Sequence, residues 1–325
     1  KMEGKVKVEL YYRYSEYLKN KYGVKTYKLP VNIPASCPNR DGLLGKRGCA
    51  FCGEKGAGFE NLPSTMSVKE QLLKNKEYIG GKYGAEKFIA YFQNFTTTYL
   101  PLNKLKQYIK QVMEIEDIVE ISFSTRPDCL NDKYIEEMNK LIQDSGRDIK
   151  LSLELGLQTV NYHTLCSVNR GHTLAEYIDA VLKLKKHRII VGTHLILNLP
   201  GDDLVDVLEN SRILSALKID NVKLHALYIR EGTLLGEKYK AGELRLIRLE
   251  EYIERVIRFL ELLDPSIAVQ RFLGRVPEEG TLFVNWDHSW WKIQQMIIEE
   301  MKNRKTFQGK KFDYLNGKAL RDLSN

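Results

Sequence analysis

The chain has 325 residues, 43% of them hydrophobic, enough for one large α/β domain with an appendage or for two domains. No window approaches eighteen consecutive apolar residues, which argues against a membrane-spanning helix, and the polar, tyrosine-rich N-terminal stretch does not read as a secretory signal. The net charge of +8 suits a nucleic-acid partner, although Lys-rich solvated helix faces give the same total, and the odd count of five cysteines fits a reducing, cytoplasmic compartment better than a disulfide framework.

Residues 1–24 read as an N-terminal segment with a short helix, and 25–33 as a first strand leading to Cys37. Strands are then expected at 88–92, 118–123, 149–155, 189–197 and 222–228. The intervening stretches carry apolar residues at helical spacing, such as Leu105, Ile109 and Val112, or Ile135, Met138 and Ile142. Strands alternating with amphipathic helices imply βαβ units and a parallel sheet. Six units from 25 to 264 predict an α/β fold, a partial (β/α)6 TIM-like barrel with parallel strands, left open at the side. Residues 265–325 are expected to form a small C-terminal extension. In it 267–272 has the composition of one further strand, Pro277–Gly280 reads as a turn, 289–302 as a helix, and the tail from Lys302 as a loosely packed appendage.

Chemistry concentrates in the loop after the first strand. Eleven residues separate Cys37 from Cys49, and Cys49 and Cys52 form a C-x-x-C pair. A lone C-x-x-C suits zinc or a redox pair, and zinc with Cys129, Cys166 or a His as fourth ligand stays open on the motif alone. A structural zinc or a ferredoxin-type cluster uses four ligands, and no fourth Cys lies nearby. Three thiolates and no fourth suit a [4Fe–4S] cube with one iron left to a substrate.

This arrangement resembles the radical S-adenosylmethionine (SAM) superfamily, with the long first gap of the subgroup related to the catalytic subunit of elongator. Phe51 stands before the third Cys, where the family often has an aromatic. The resemblance spans about residues 10–275 and rests on the strand ends. After the second expected strand Gln93 and Thr96–Thr98 replace the glycines of the family's Gly-Gly-Glu segment, which meets the SAM amino group. The third ends in Ser124-Thr-Arg-Pro-Asp128, similar to the subgroup. The fourth ends Glu154-Leu-Gly-Leu-Gln158, followed by Arg170. At this spacing the family's Gln contacts the SAM ribose and its Arg the carboxylate, a role that suits a bidentate guanidinium. The fifth carries His194 at a ribose-contacting position and ends Asn198-Leu-Pro-Gly201, where Asn198 departs from a frequent Gly. His225, Tyr228 and Lys223 follow on the sixth, on one face or the other of the sheet.

The resemblance implies Cys37, Cys49 and Cys52 as cluster ligands, and Phe51, Gln93, Ser124, Glu154, Gln158, Arg170 and His194 around SAM. It further implies reductive cleavage of SAM to a 5′-deoxyadenosyl radical, with an electron donor such as flavodoxin or ferredoxin. The elongator relatives act on the wobble uridine of tRNA and carry an acetyltransferase domain, for which residues after 264 are too few. The expected activity is therefore radical modification of a tRNA wobble-uridine side chain, and Trp286, Trp290 and Trp291 offer stacking faces or core packing. The alternatives are a small metabolite or peptide substrate, or a zinc-stapled RNA-binding module without catalysis.

Overall fold

The computed structural model describes residues 9–53, 61–276 and 279–323, so part of the expected Pro277–Gly280 turn lies outside the described residues. In chain order the elements are α1 (Tyr14–Tyr22), β1 (Thr26–Val31), α2 (Val68–Tyr83), β2 (Lys87–Phe92), α3 (Leu102–Met113), β3 (Ile118–Thr125), α4 (Asp132–Gln143), β4 (Lys150–Gln158), α5 (Tyr162–Ser167) and α6 (Leu174–Lys186). Then come β5 (Ile190–Ile196), α7 (Leu204–Ala216), β6 (Asn221–His225), β7 (Ile229–Arg230), α8 (Leu234–Lys240), α9 (Leu249–Leu262), β8 (Ala268–Arg271), β9 (Thr281–Phe283) and α10 (Trp290–Asn303).

Seven strands form one parallel sheet in the order β1-β2-β3-β4-β5-β6-β8. The last of them is the stretch that the sequence placed beyond the six-unit barrel. It docks beside β6 because Ala268 and Val269 are buried there and α9 supplies the crossover. β7 and β9 make a separate antiparallel pair.

Strand alternation sorts the residues onto two faces. In β4, Leu151, Leu153, Leu155 and Leu157 join the hydrophobic core, while Ser152, Glu154 and Gly156 take the other face. In register with them stand Ser122 and Ser124 of β3 and His194 of β5. A parallel sheet packed on both sides reads as continuous apolar residues. Here only the helix-facing side is apolar, and the concave side carries serines, charges and histidines.

The sheet curls until its edges approach. Lys28 of β1 donates to Gln270 of β8 at 2.9 Å, although the two strands do not pair. The segment before α1 enters this seam: Val269 N–H donates to Tyr12 O at 2.8 Å, and Arg13 forms an isolated parallel bridge to Val269. α1 then lies across the seam, with Leu18 buried and the Tyr22 hydroxyl bonded to the buried Glu120.

The tail is not the loose appendage expected. Tyr12 N–H donates to Gln308 Oε1 at 2.9 Å, and Gln308 Nε2 donates to Asp264 O and Ile267 O at 2.8 and 2.9 Å. One buried amide thus ties the C-terminal segment, the N-terminal segment and the approach to β8, which a reading of composition cannot reveal.

Candidate cofactor chamber

The chain leaves β1 at Val31 and reaches Cys37, which is buried, as is Cys49; Cys52 is half-buried. The loop folds on itself: Arg40 N–H donates to Cys37 O at 2.8 Å, and Cys52 N–H to Cys49 O at 2.9 Å. It is also stapled to the segment after α5. Ala50 N–H donates to Val168 O at 2.8 Å, Asn169 Nδ2 to Gly48 O at 2.8 Å, and Asn39 Nδ2 to Asn169 O and Arg170 O at 2.7 and 3.0 Å. Cysteine loop and Arg170 are therefore positioned as one unit. Gly171 permits the junction, since its φ is +77° and a Cβ there would come within 2.6 Å of Asn39 Oδ1. Thr173 follows, capping α6 in a capping box with Glu176 and so fixing the end of the same loop.

A chamber of about 260 Å³ opens where these segments meet the C-terminal strand ends. Cys37, Cys49, Cys52, Phe51, Gln93, Ser124, Gln158, Arg170 and His194 all line it. Glu154 does not. It sits behind the wall, its carboxylate bonded to His194 Nε2 and Tyr91 Oη at 2.7 Å, to Lys223 Nζ at 2.8 Å and also to Lys28 and Gln270. Burial alone would raise the Glu154 pKa, but Lys223, Lys28 and His194 hold it well below the usual carboxylate range. Because the carboxylate accepts, His194 carries its proton on Nε2 and keeps Nδ1 as an acceptor. Burial first, and then Lys223, push His194 down to about 4, so it is neutral near pH 7.

Arg170 is buried, with Nη2 donating to Gly156 O at 2.7 Å and Nη1 standing 3.4 Å from Cys49 Sγ. Its Nε has no partner among the described residues. Gln158 sits at φ +76° beside a break in the β4–β5 register, which turns a non-glycine residue out of the strand at the chamber rim. Lys223 and His225, two apart on β6, share the chamber face, whereas Tyr228 is not among the lining residues.

Several wall residues were not singled out from the sequence. Arg40, Arg126, Arg271 and Arg275 join Arg170 and Lys223, and no Asp or Glu is among the lining residues. Arg126 has its own counter-ion, a two-pronged pair with Asp128 at 2.8 and 2.6 Å. The only signal for it was its place in the Thr125-Arg-Pro-Asp128 segment. Asn39 gave none beyond standing two residues after Cys37. Cys129 and Cys166 stay outside. Cys129 lines a separate cavity of about 730 Å³ beside Leu43 and Leu44, its thiol pushed up to about 12 by burial, and Cys166 is exposed.

The three thiols line one chamber, and burial first, then the neighbouring Cys49 and Cys37, push the Cys52 thiol up. Among the described residues no three His, Cys, Asp or Glu side chains group to hold a single metal ion. A structural zinc needs four ligands around one point, whereas each thiolate at a cluster corner takes its own iron. With cationic walls to meet thiolates and inorganic sulfide, the donor set fits a three-cysteine cluster better than a zinc staple.

Residues 37–212 match the Radical SAM superfamily, and residues 219–303 match the Radical_SAM C-terminal domain. The chain belongs to the radical SAM superfamily. Its architecture, a partial barrel of parallel strands, is the one expected, and membership implies a [4Fe–4S] cluster and SAM. The protein YtqA of Bacillus subtilis is 33% identical over 305 residues, covering 94% of both chains. A tRNA uridine(34) acetyltransferase of Methanocaldococcus jannaschii is 31% identical over 166 residues, covering 49% of this chain and 29% of that one. The fold is shared with the archaeal Methanocaldococcus infernus Elp3 lacking residues 1–46, at a TM-score of 0.68 and 19% identity, over 87% of this chain and 64% of that one. Among the described residues no helix is long and apolar enough to cross a membrane.

Proposed function

We propose that this radical SAM enzyme modifies the side chain of a tRNA wobble uridine. Cys37, Cys49 and Cys52 hold the cluster. Arg170 meets the SAM carboxylate, Gln93 its amino group, and Gln158 and His194 its ribose, with Phe51 and Ser124 completing the wall. Glu154 acts through His194, fixing the tautomer that leaves Nδ1 free to accept from a hydroxyl. Cluster and SAM together supply the one-electron chemistry that removes a hydrogen atom from carbon, and the chain supplies orientation and exclusion of water. The required electron comes from a donor of the flavodoxin or ferredoxin type, which fits a cytoplasmic enzyme.

The observation that carries the tRNA reading is the similarity, across 49% of the chain, to a protein named for uridine 34 of tRNA. The cationic chamber supports it. Reduced, reconstituted enzyme with SAM is expected to form 5′-deoxyadenosine faster when tRNA from cells lacking the gene is added. Nucleoside mass spectrometry should then show one altered wobble nucleoside. Identical tRNA nucleosides from cells with and without the gene would overturn the reading.

A further inference from the structure

The chamber shares a wall with a second cavity, of about 630 Å³, that runs along the seam between β1 and β8. Four residues line both: Tyr91, Gln93, Lys223 and Arg271. Tyr91 and Lys223 bond to Glu154 and to each other, and Gln93 bonds to Asn61. Arg271 differs. Its Nη2 donates to His225 Nδ1 at 3.0 Å, its Nε is buried without a partner, and no carboxylate pairs with it among the described residues. Arginine only donates, so His225 is a neutral acceptor and brings no negative charge. Burial disfavours the Arg271 charge by more than the nearby Tyr91 and Glu154 favour it, and a cation set into a wall without a directly bonded counter-ion is costly unless something completes it. The backbone makes room for this group: a Cβ on Gly274 would lie 2.8 Å from Arg271 Cζ and 3.0 Å from Nη1.

We propose that Arg271 binds an oxyanion carried by the substrate, either a carboxylate on the base side chain or a backbone phosphate, as the substrate passes from the seam into the chamber. The assignment deepens the tRNA reading and rests on it. A guanidinium takes either oxyanion through parallel N–H bonds. Arg170, beside Cys49, is left to the cofactor.

The test uses the cluster-loaded enzyme and calorimetry. The ligands are two anticodon stem-loop RNAs whose wobble uridine carries a carboxymethylaminomethyl group or its neutral carboxamide counterpart, with inorganic phosphate and acetate as free probes. If the anchored group is the carboxylate, the wild type prefers the acidic RNA by about tenfold, the scale of a charged hydrogen bond, and Arg271→Gln loses the preference. If it is a phosphate, both RNAs bind alike, inorganic phosphate competes, and Arg271→Gln weakens both by about tenfold. Gly274→Ala, which displaces the guanidinium but keeps its charge, should reproduce the loss with iron content unchanged. Wild-type affinity for both RNAs in Arg271→Gln, or a loss of SAM affinity there, overturns the proposal. Should no RNA bind the wild type while inorganic phosphate or acetate binds it and not Arg271→Gln, the anion site stands and the tRNA reading falls.

Discussion

Arg170 and Gly156 form a pair in which each restricts the other. The guanidinium lies so close over the glycine that a Cβ would come within 2.7 Å of Nη2 and 2.9 Å of Gln158 Nε2. Gly156→Ala is therefore expected to displace both side chains and weaken SAM binding by about tenfold or more, while iron content is kept. Arg170→Lys should do the same, because a lysine keeps the charge without the fork. Unchanged SAM affinity in both variants, by calorimetry, would remove Arg170 from the cofactor site. The cysteines permit a sharper contrast. Cys37→Ala should lose the cluster and Cys129→Ala should retain four irons per chain, as the cluster formula requires. The reverse result would refute the ligand set. His194 carries a pH consequence. Its folded pKa of about 4 lies below the usual 6.5, so between those values the unfolded chain binds a proton that the folded chain refuses. Stability should fall as pH drops through that window, by about 2 kcal/mol per site between pH 7 and 5. His172, pushed down to about 2 by burial and then by Arg170, acts in the same direction. Melting curves of His194→Gln should show a shallower decline, and an equal slope would contradict the assignment. That Cys37, Cys49 and Cys52 would meet in one chamber could be expected because their spacing is local. The Glu154 network could not, since Tyr91 and Lys223 lie 63 and 69 residues from Glu154 and meet it only after the sheet curls.

Among the elements, the strands of the parallel sheet were legible within a few residues, because their apolar runs are short and bounded, whereas the β7–β9 pair was not. α2 gave little signal: it contains Gly80 and Gly81, and buries only Val68, Gln71 and Leu72. β8 was visible as a strand, but its partner was not, since pairing with β6 depends on the α9 crossover. α1 was expected as a short helix, but its place in the seam was not, since that depends on partners far along the chain. Tyr22 shows how it is held: its hydroxyl bonds the Glu120 carboxylate, which also accepts from Ser152 Oγ at 2.6 Å. Tyr22→Phe removes one donor from a buried carboxylate without altering its packing. It is expected to cost about 1–3 kcal/mol, measured by denaturant titration. A loss below the error of the extrapolation would mean that water replaces the hydroxyl and that α1 is held by Leu18 and its neighbours alone.

For the whole molecule the deciding quantity is how its charge is used. The net value of +8 is formal and says nothing of where the charge sits, and surface pairs such as Lys69–Glu114 and Lys106–Glu137 cancel out of it. Of the three tryptophans offered for stacking, Trp286 is spent on packing, its Nε1 donating to Ile247 O at 2.7 Å, while Trp290 and Trp291 remain exposed at the start of α10. A tRNA must have its phosphates neutralised by Lys and Arg along an extended track, and each neutralised phosphate releases condensed counterions. Binding should then weaken steeply with salt: for about six phosphate contacts, by about a thousandfold between 50 and 200 mM. A metabolite or peptide held only inside a 260 Å³ chamber would show little of this slope. Phosphate contacts position an RNA while base contacts select it, so tRNA lacking the wobble modification should bind with a similar slope but raise 5′-deoxyadenosine formation little. Trp290→Ala and Trp291→Ala should lower affinity at every salt concentration by about fivefold or more without changing the slope, because stacking releases no ions. A flat salt dependence for every tRNA would move the substrate to the metabolite or peptide class. The family assignment would be untouched, since it rests on the chain's match to the superfamily over residues 37–212 and not on its charge.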